Sequence, residues 1–105
     1  MRFGLDDSII EQLQAVFRRY GEVDEVVIYG SRAKGNFRTG SDIDMTVKGQ
    51  GINRKIMGDI WQDIEDLNFP YKVDLSDYAA LDATSLCEHI NRVGKVFYSK
   101  TQRKK

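Results

Sequence analysis

Glu25 is followed by four apolar residues in a row, Val26-Val27-Ile28-Tyr29, and the run stops at Gly30. Successive side chains of a strand leave opposite faces, so a strand that is apolar at every position needs cover on both sides. A sheet carrying this strand must lie between other elements, and the flanking segments supply them.

Ser8 with Glu11 makes a capping-box pattern, and Ile9, Ile10, Leu13, Val16 and Phe17 follow at helical spacing. Arg18 and Arg19 suit the last turn of that helix, and Gly21 suits the position just past its end. Residues 30–41 read as a loop with one helical turn. Residues 42–48 alternate polar and apolar, the period of a strand, and Gly49 and Gly51 end it. Asn53 is placed to cap a second helix carrying Ile56, Ile60, Trp61, Ile64 and Leu67, which Asn68 and Pro70 close. Tyr71–Leu75 is a third strand. Asp82 or Thr84 starts a last helix with Leu86, Cys87, Ile90 and Val93, ending at Gly94, and Lys95–Ser99 makes a short final strand. The order α-β-β-α-β-α-β predicts an α+β fold: a small mixed sheet with helices packed against it.

A chain of 105 residues has material for one domain. Residues 1–99 are expected to form it, with 100–105, four basic residues in six, as a disordered solvated tail. Sixteen Lys and Arg balance sixteen Asp and Glu. That balance argues against nucleic acid as a partner, because phosphate neutralisation needs a basic surface. Cys87 is the sole cysteine, which excludes an intrachain disulfide and fits a reducing compartment. No apolar run approaches the ~20 residues of a membrane span, and the acidic opening MRFGLDDSII does not read as a signal peptide. A cytoplasmic protein with no membrane partner is expected.

Three carboxylates carry the chemistry. Asp42 and Asp44 are two apart on one strand, so they leave the same face, while Ile43, Met45 and Val47 leave the other. Asp74 lies between the inward residues Val73 and Leu75 of a different strand. If the two strands are neighbours, the three side chains converge. Two unit charges ~4 Å apart repel by ~4 kcal/mol at an effective dielectric near 20, so such a cluster recruits a cation or raises its own pKa values. Oxygen-only donors favour Mg²⁺ or Mn²⁺, and Mg²⁺ completes its shell with water and substrate phosphates. The phosphate side is visible in Gly30-Ser31-Arg32-Ala33-Lys34-Gly35. Gly30 allows close backbone approach, the Ser31 hydroxyl can donate to a phosphate oxygen, and Arg32 or Lys34 can neutralise it. The run is not a P-loop, since Asn36 stands where that motif needs Lys.

Gly30-Ser31, ten intervening residues, Asp42-Ile43-Asp44, and then Val73-Asp74-Leu75 resemble the minimal nucleotidyltransferases of the polymerase-beta-like superfamily. The resemblance runs over roughly Val23 to Tyr98. It implies that Gly30 and Ser31, with Arg32 and Lys34, bind the triphosphate of ATP or another nucleoside triphosphate. It implies that Asp42, Asp44 and Asp74 hold two metal ions and act in catalysis, with Asp74 assisting deprotonation of an acceptor hydroxyl. The reaction so implied is an in-line displacement at the α-phosphorus with pyrophosphate leaving. Lys34 replaces the second Arg of many members and loses its bidentate geometry. Larger relatives hold the acceptor with an added helical domain. Here the resemblance implies a separate partner, a small helical HEPN-like or substrate-binding protein, and self-association is a further expectation.

Two functions fit this pattern: transfer of AMP to a hydroxyl of a protein or small molecule, or an antitoxin-type subunit that neutralises its partner by contact. The full set of aspartates favours the enzyme, since contact alone needs no converging carboxylates. Trp61 and Cys87 are expected in the core, and His89 on the surface or half-buried. Tyr29 and Tyr78 flank the motifs. Arg38 and Thr39 are read as solvated loop positions, with lining of the nucleotide pocket as the lesser reading.

Overall fold

The computed structural model describes residues 2–38, 40–81 and 84–100. The elements are α1 (Asp7–Arg18), β1 (Glu25–Tyr29), α2 (Ser31–Lys34), β2 (Ile43–Lys48), α3 (Arg54–Glu65), β3 (Val73–Asp77), α4 (Thr84–Val93) and β4 (Lys95–Ser99), with a 3-10 turn at Tyr78–Ala80. The strands form one sheet in the order β3-β2-β1-β4. β1 runs antiparallel to β2 and β4, and β2 runs parallel to β3. The sheet is therefore mixed, and α3 provides the crossover that a parallel pair requires.

The apolar run of β1 is covered on both sides. Val26 and Ile28, with Ile43, Met45 and Val47 of β2, enter the main core with Leu13, Val16 and Phe17 of α1 and Ile60 and Ile64 of α3. Val27 and Tyr29 turn to the opposite face and meet Ile90 of α4, with Tyr78, Leu86 and Val93 around them. One face of the sheet is thus an apolar layer, while the other is apolar only where α4 lies over β1.

Local signals hold in part. Asn53 caps α3, its Oδ1 accepting the Ile56 N–H at 2.9 Å. Asn68 follows that helix at φ 58°, a left-handed conformation that Asn tolerates. The Ser8–Glu11 capping box is not formed. Asp6 is the N-cap, without a side-chain cap bond, and Ser8 lies inside the first turn. The third strand starts two residues later than Tyr71, which packs against the main core instead. Trp61 is corrected from core to surface. It is 48% exposed while Ile60 is fully buried, because position 61 falls about 100° further round the helix, outside the arc that meets the sheet. Cys87 is half-buried rather than core. Lys100, expected in the tail, is anchored: its N–H donates to the Asp24 carbonyl at 2.9 Å and its ammonium to the Gly21 carbonyl at 2.9 Å. Thr39, Asp82 and residues 101–105 lie outside the described residues. Among the described residues no helix is long and apolar enough to cross a membrane.

Candidate active site

The parallel pairing sets Asp44 directly opposite Asp74, and Thr46 opposite Ser76. Neighbouring strands lie ~4.8 Å apart, so the side chains of a register pair leave the sheet side by side. On the other flank of β2, Tyr29 is the partner of Asp44. The carboxylates therefore stand on the α4 face, next to the small apolar cluster and away from the main core. Asp44 is half-buried, whereas Asp42 and Asp74 are exposed.

Their electrostatics agree with this geometry. The Asp44 carboxyl is pushed above the ordinary carboxylate range, first by burial and then by repulsion from Asp74 and Asp42; His89 and Lys72 pull the other way. Asp42 therefore lies near enough to act on Asp44 as well. Among the described residues, no three His, Cys, Asp or Glu side chains are gathered closely enough to close around one ion. The donor set still suits a hard divalent cation, because every donor is oxygen and, among the described residues, no ion pair is made by the half-buried Asp44.

Gly30 joins this cluster to the Gly-Ser turn for a steric reason. It sits at φ 75° and ψ −155°, where side chains are rarely tolerated. A Cβ at Gly30 would lie 2.5 Å from Asp44 Oδ2. Glycine thus lets the turn between β1 and α2 pass against the carboxylate. Ser31 opens α2, the single helical turn expected there, and Gly35 ends it in the left-handed conformation. The first N–H groups of any helix have no partner within it, so this turn can offer donors to an anion.

The two basic residues of α2 part company. Lys34 is exposed. Arg32 is 3% exposed. Its Nε and Nη2 donate to the Ser41 carbonyl at 3.1 and 2.9 Å, and Nη1 donates to the Phe3 carbonyl at 2.8 Å. The guanidinium also lies over the rings of Tyr71 and Phe37, 5.0 and 5.3 Å from their centroids. Its donors point into backbone carbonyls, so the phosphate contact expected of Arg32 is not what this geometry provides.

Two side chains given little weight from sequence alone border the carboxylates. Tyr29 has its phenol raised by burial; the Ser76 hydroxyl opposes the shift, while Asp44 and Asp74 add to it. His89 meets the Tyr29 ring edge-on, with centroids 6.2 Å apart. A signal for His89 was present, since it stands three residues after Leu86 and next to Ile90 on the inward stripe of α4. Below them the Ser76 hydroxyl donates to Thr46 Oγ1 at 3.0 Å, and the buried Thr46 hydroxyl donates to the Ser76 carbonyl at 3.3 Å. These bonds tie β2 to β3 two register pairs beyond the aspartates.

A mixed four-stranded sheet with paired aspartates beside a Gly-Ser turn defines a polymerase-beta-like nucleotidyltransferase core. The sequence matches the polymerase beta nucleotidyltransferase family over residues 11–103, and the chain belongs to that family. Its fold is similar to solved structures of toxin–antitoxin proteins. One, determined with AMP-PNP, is 22% identical, with a TM-score of 0.69 over 93% of this chain and 77% of that one. Another, a tri-AMPylated Shewanella oneidensis HEPN toxin in complex with MNT antitoxin, is 18% identical, with a TM-score of 0.68 over 93% and 76%. The MntA-HepT toxin–antitoxin structure is 18% identical, with a TM-score of 0.67 over 92% and 75%. No curated protein matches the sequence significantly.

Proposed function

We propose that this protein transfers a nucleoside monophosphate, AMP from ATP, to a hydroxyl of a partner protein or small molecule. The observation that carries the reading is the register pair Asp44–Asp74 beside Gly30. Two Mg²⁺ or Mn²⁺ ions held by Asp42, Asp44 and Asp74 would supply Lewis-acid stabilisation of the attacking and leaving oxygens. The chain's own groups do the rest. Gly30 and Ser31 bind the triphosphate through the first turn of α2, and Lys34 balances its charge. Asp74, the exposed member of the pair, takes the proton from the acceptor hydroxyl. The hydroxyl oxygen bonds to the α-phosphorus as the bond to the bridging oxygen breaks, and pyrophosphate leaves with that electron pair.

The partner fits a small helical HEPN-like protein, because the neighbours in fold include an AMPylated HEPN toxin bound to its MNT antitoxin. A second reading is an antitoxin subunit that neutralises such a partner by contact alone; the toxin–antitoxin neighbours support the antitoxin part of it. ATP labelled at the α-phosphate, Mg²⁺ and a co-expressed helical partner separate the two. Transfer is expected to move label onto the partner and to vanish in Asp44→Asn. Absence of label, with Asp44→Asn still neutralising the partner, would establish contact as the mechanism. Lys34→Ala should weaken ATP binding by about tenfold, one charge-assisted contact, with little effect on stability.

A further inference from the structure

The Arg2–Leu5 segment folds into a tight turn closed by two backbone bonds, Leu5 N–H to Arg2 carbonyl at 2.8 Å and the reverse at 3.3 Å. Its central residues, Phe3 and Gly4, have φ values of 58° and 73°. A positive φ is costly for a bulky residue such as Phe3, so something outside the turn must hold it there. The turn presents the Phe3 and Gly4 carbonyls to Arg32 Nη1, at 2.8 and 3.4 Å. The other side of the same guanidinium holds the Ser41 carbonyl through two donors. Ser41 immediately precedes Asp42, and its N–H and Oγ are bonded to the Arg38 carbonyl and N–H at 3.0 and 2.8 Å. Packing is tight throughout: a Cβ on Gly4 would lie 2.4 Å from the Phe37 ring and 2.9 Å from Arg32 Nη1.

Arg32 therefore joins three pieces of backbone: the Arg2–Leu5 turn, α2 with its Gly-Ser start, and the residues that lead into β2. Leu5 and Ala33 are also anchored in the main core, but the guanidinium is the group that bonds to the turn and to Ser41 at once. Planar guanidinium suits this task, because its fork fixes direction as well as charge and it stacks on aromatic faces. Lysine offers one point charge and cannot hold both sides. From this we infer that Arg32 is a positioning residue, which sets Asp42 against the Gly30-Ser31 turn, and that the Arg2–Leu5 turn belongs to the same brace. The assignment rests on the proposed nucleotidyl transfer for its catalytic consequence, but not for its structural one.

Arg32→Lys and Gly4→Ala test it from opposite ends. Gly4 touches no carboxylate of the site, and its substitution keeps the arginine side chain at position 32 while pushing on the guanidinium and on the Phe37 ring. In both variants, amide exchange at Ser41 and Ile43 should quicken by about tenfold relative to wild type, with a smaller change at Ile60 in the middle of α3. In transfer assays, both should need several-fold more Mg²⁺ for half-maximal rate and show a lower kcat, with KM for ATP nearly unchanged. A phosphate ligand would behave oppositely: ATP affinity would fall in Arg32→Lys alone, at an unchanged Mg²⁺ midpoint, and that result overturns the inference. Unchanged exchange at Ser41 and Ile43, or exchange raised equally at Ile60, overturns it too. If wild type transfers no label while exchange responds locally as described, the brace stands and the proposed activity falls.

Discussion

Gly30→Ala probes the closest approach in the site. Its backbone, at φ 75° and ψ −155°, lies in a region that costs other residues about 1–3 kcal/mol. The added Cβ would stand 2.5 Å from Asp44 Oδ2, and real contacts stay beyond 3.0 Å, so the turn or the carboxylate must move by about 0.5 Å or more (3.0 less 2.5). Overpacking costs about 1–3 kcal/mol, and the low end applies because Asp44 is a short side chain that can rotate. Together the change should destabilise the fold by about 2–4 kcal/mol, or ~10–25 °C in Tm for a domain of this size. A misplacement of this order should slow nucleotidyl transfer by roughly 100-fold. Urea unfolding with a constant m-value measures the first effect and labelled transfer the second. Gly21→Ala is the control, since nothing lies within 4 Å of a Cβ there, and it should stay within about 0.5 kcal/mol of wild type. If Gly30→Ala were equally mild and equally active, the tight turn against Asp44 would not be what shapes the site.

Asp44→Asn should leave the metal-free fold as stable or more so, while losing stabilisation by Mg²⁺ with ATP. Because burial, Asp74 and Asp42 raise the Asp44 carboxyl, the folded chain keeps a proton that the unfolded chain has lost in the window just above the ordinary carboxylate value. Metal-free stability should therefore decline as pH rises through that window, and the decline should weaken in Asp44→Asn. Melts in chelator across roughly pH 4 to 7 read this directly; an identical slope in the variant would count against the clustered charge. Tyr20 is pushed up to about 12, chiefly by burial and then by the hydrogen bond it donates to Asp63. Its contribution should be complete below the ordinary phenol value and be lost as pH rises toward 12, so an ultraviolet titration should show a tyrosine titrating near 12 that is absent in Tyr20→Phe, a variant costing about 1–2 kcal/mol, while Tyr29, also raised, still titrates above the ordinary phenol value. Trp61→Ala should cost under about 1 kcal/mol rather than the 3–5 of a buried tryptophan; a larger loss by chemical denaturation would return Trp61 to the core.

Patterns carried by neighbouring residues were legible in the chain alone. The doubly apolar Val26–Tyr29 run, the helical stripes, the Asn53 cap and the Gly-Ser and Asp-x-Asp motifs depend on local geometry, and local geometry repeats wherever those residues occur. The sequence also offered the condition for a site, that the strands of Asp44 and Asp74 be adjacent, but it could not choose the pairing. Which strands neighbour each other, and in what register, is decided by burying both faces of β1 at once, and that brings together residues some thirty positions apart. Tertiary packing likewise chose between a helical cap at Ser8 and one at Asp6, and turned Trp61 outward because α3 meets the sheet along a narrower arc than its apolar residues span. It also turned Arg32 inward and left Lys34 outside. Two basic residues two positions apart look alike in a sequence; only the carbonyls of Phe3 and Ser41, brought from either side, made one of them a brace.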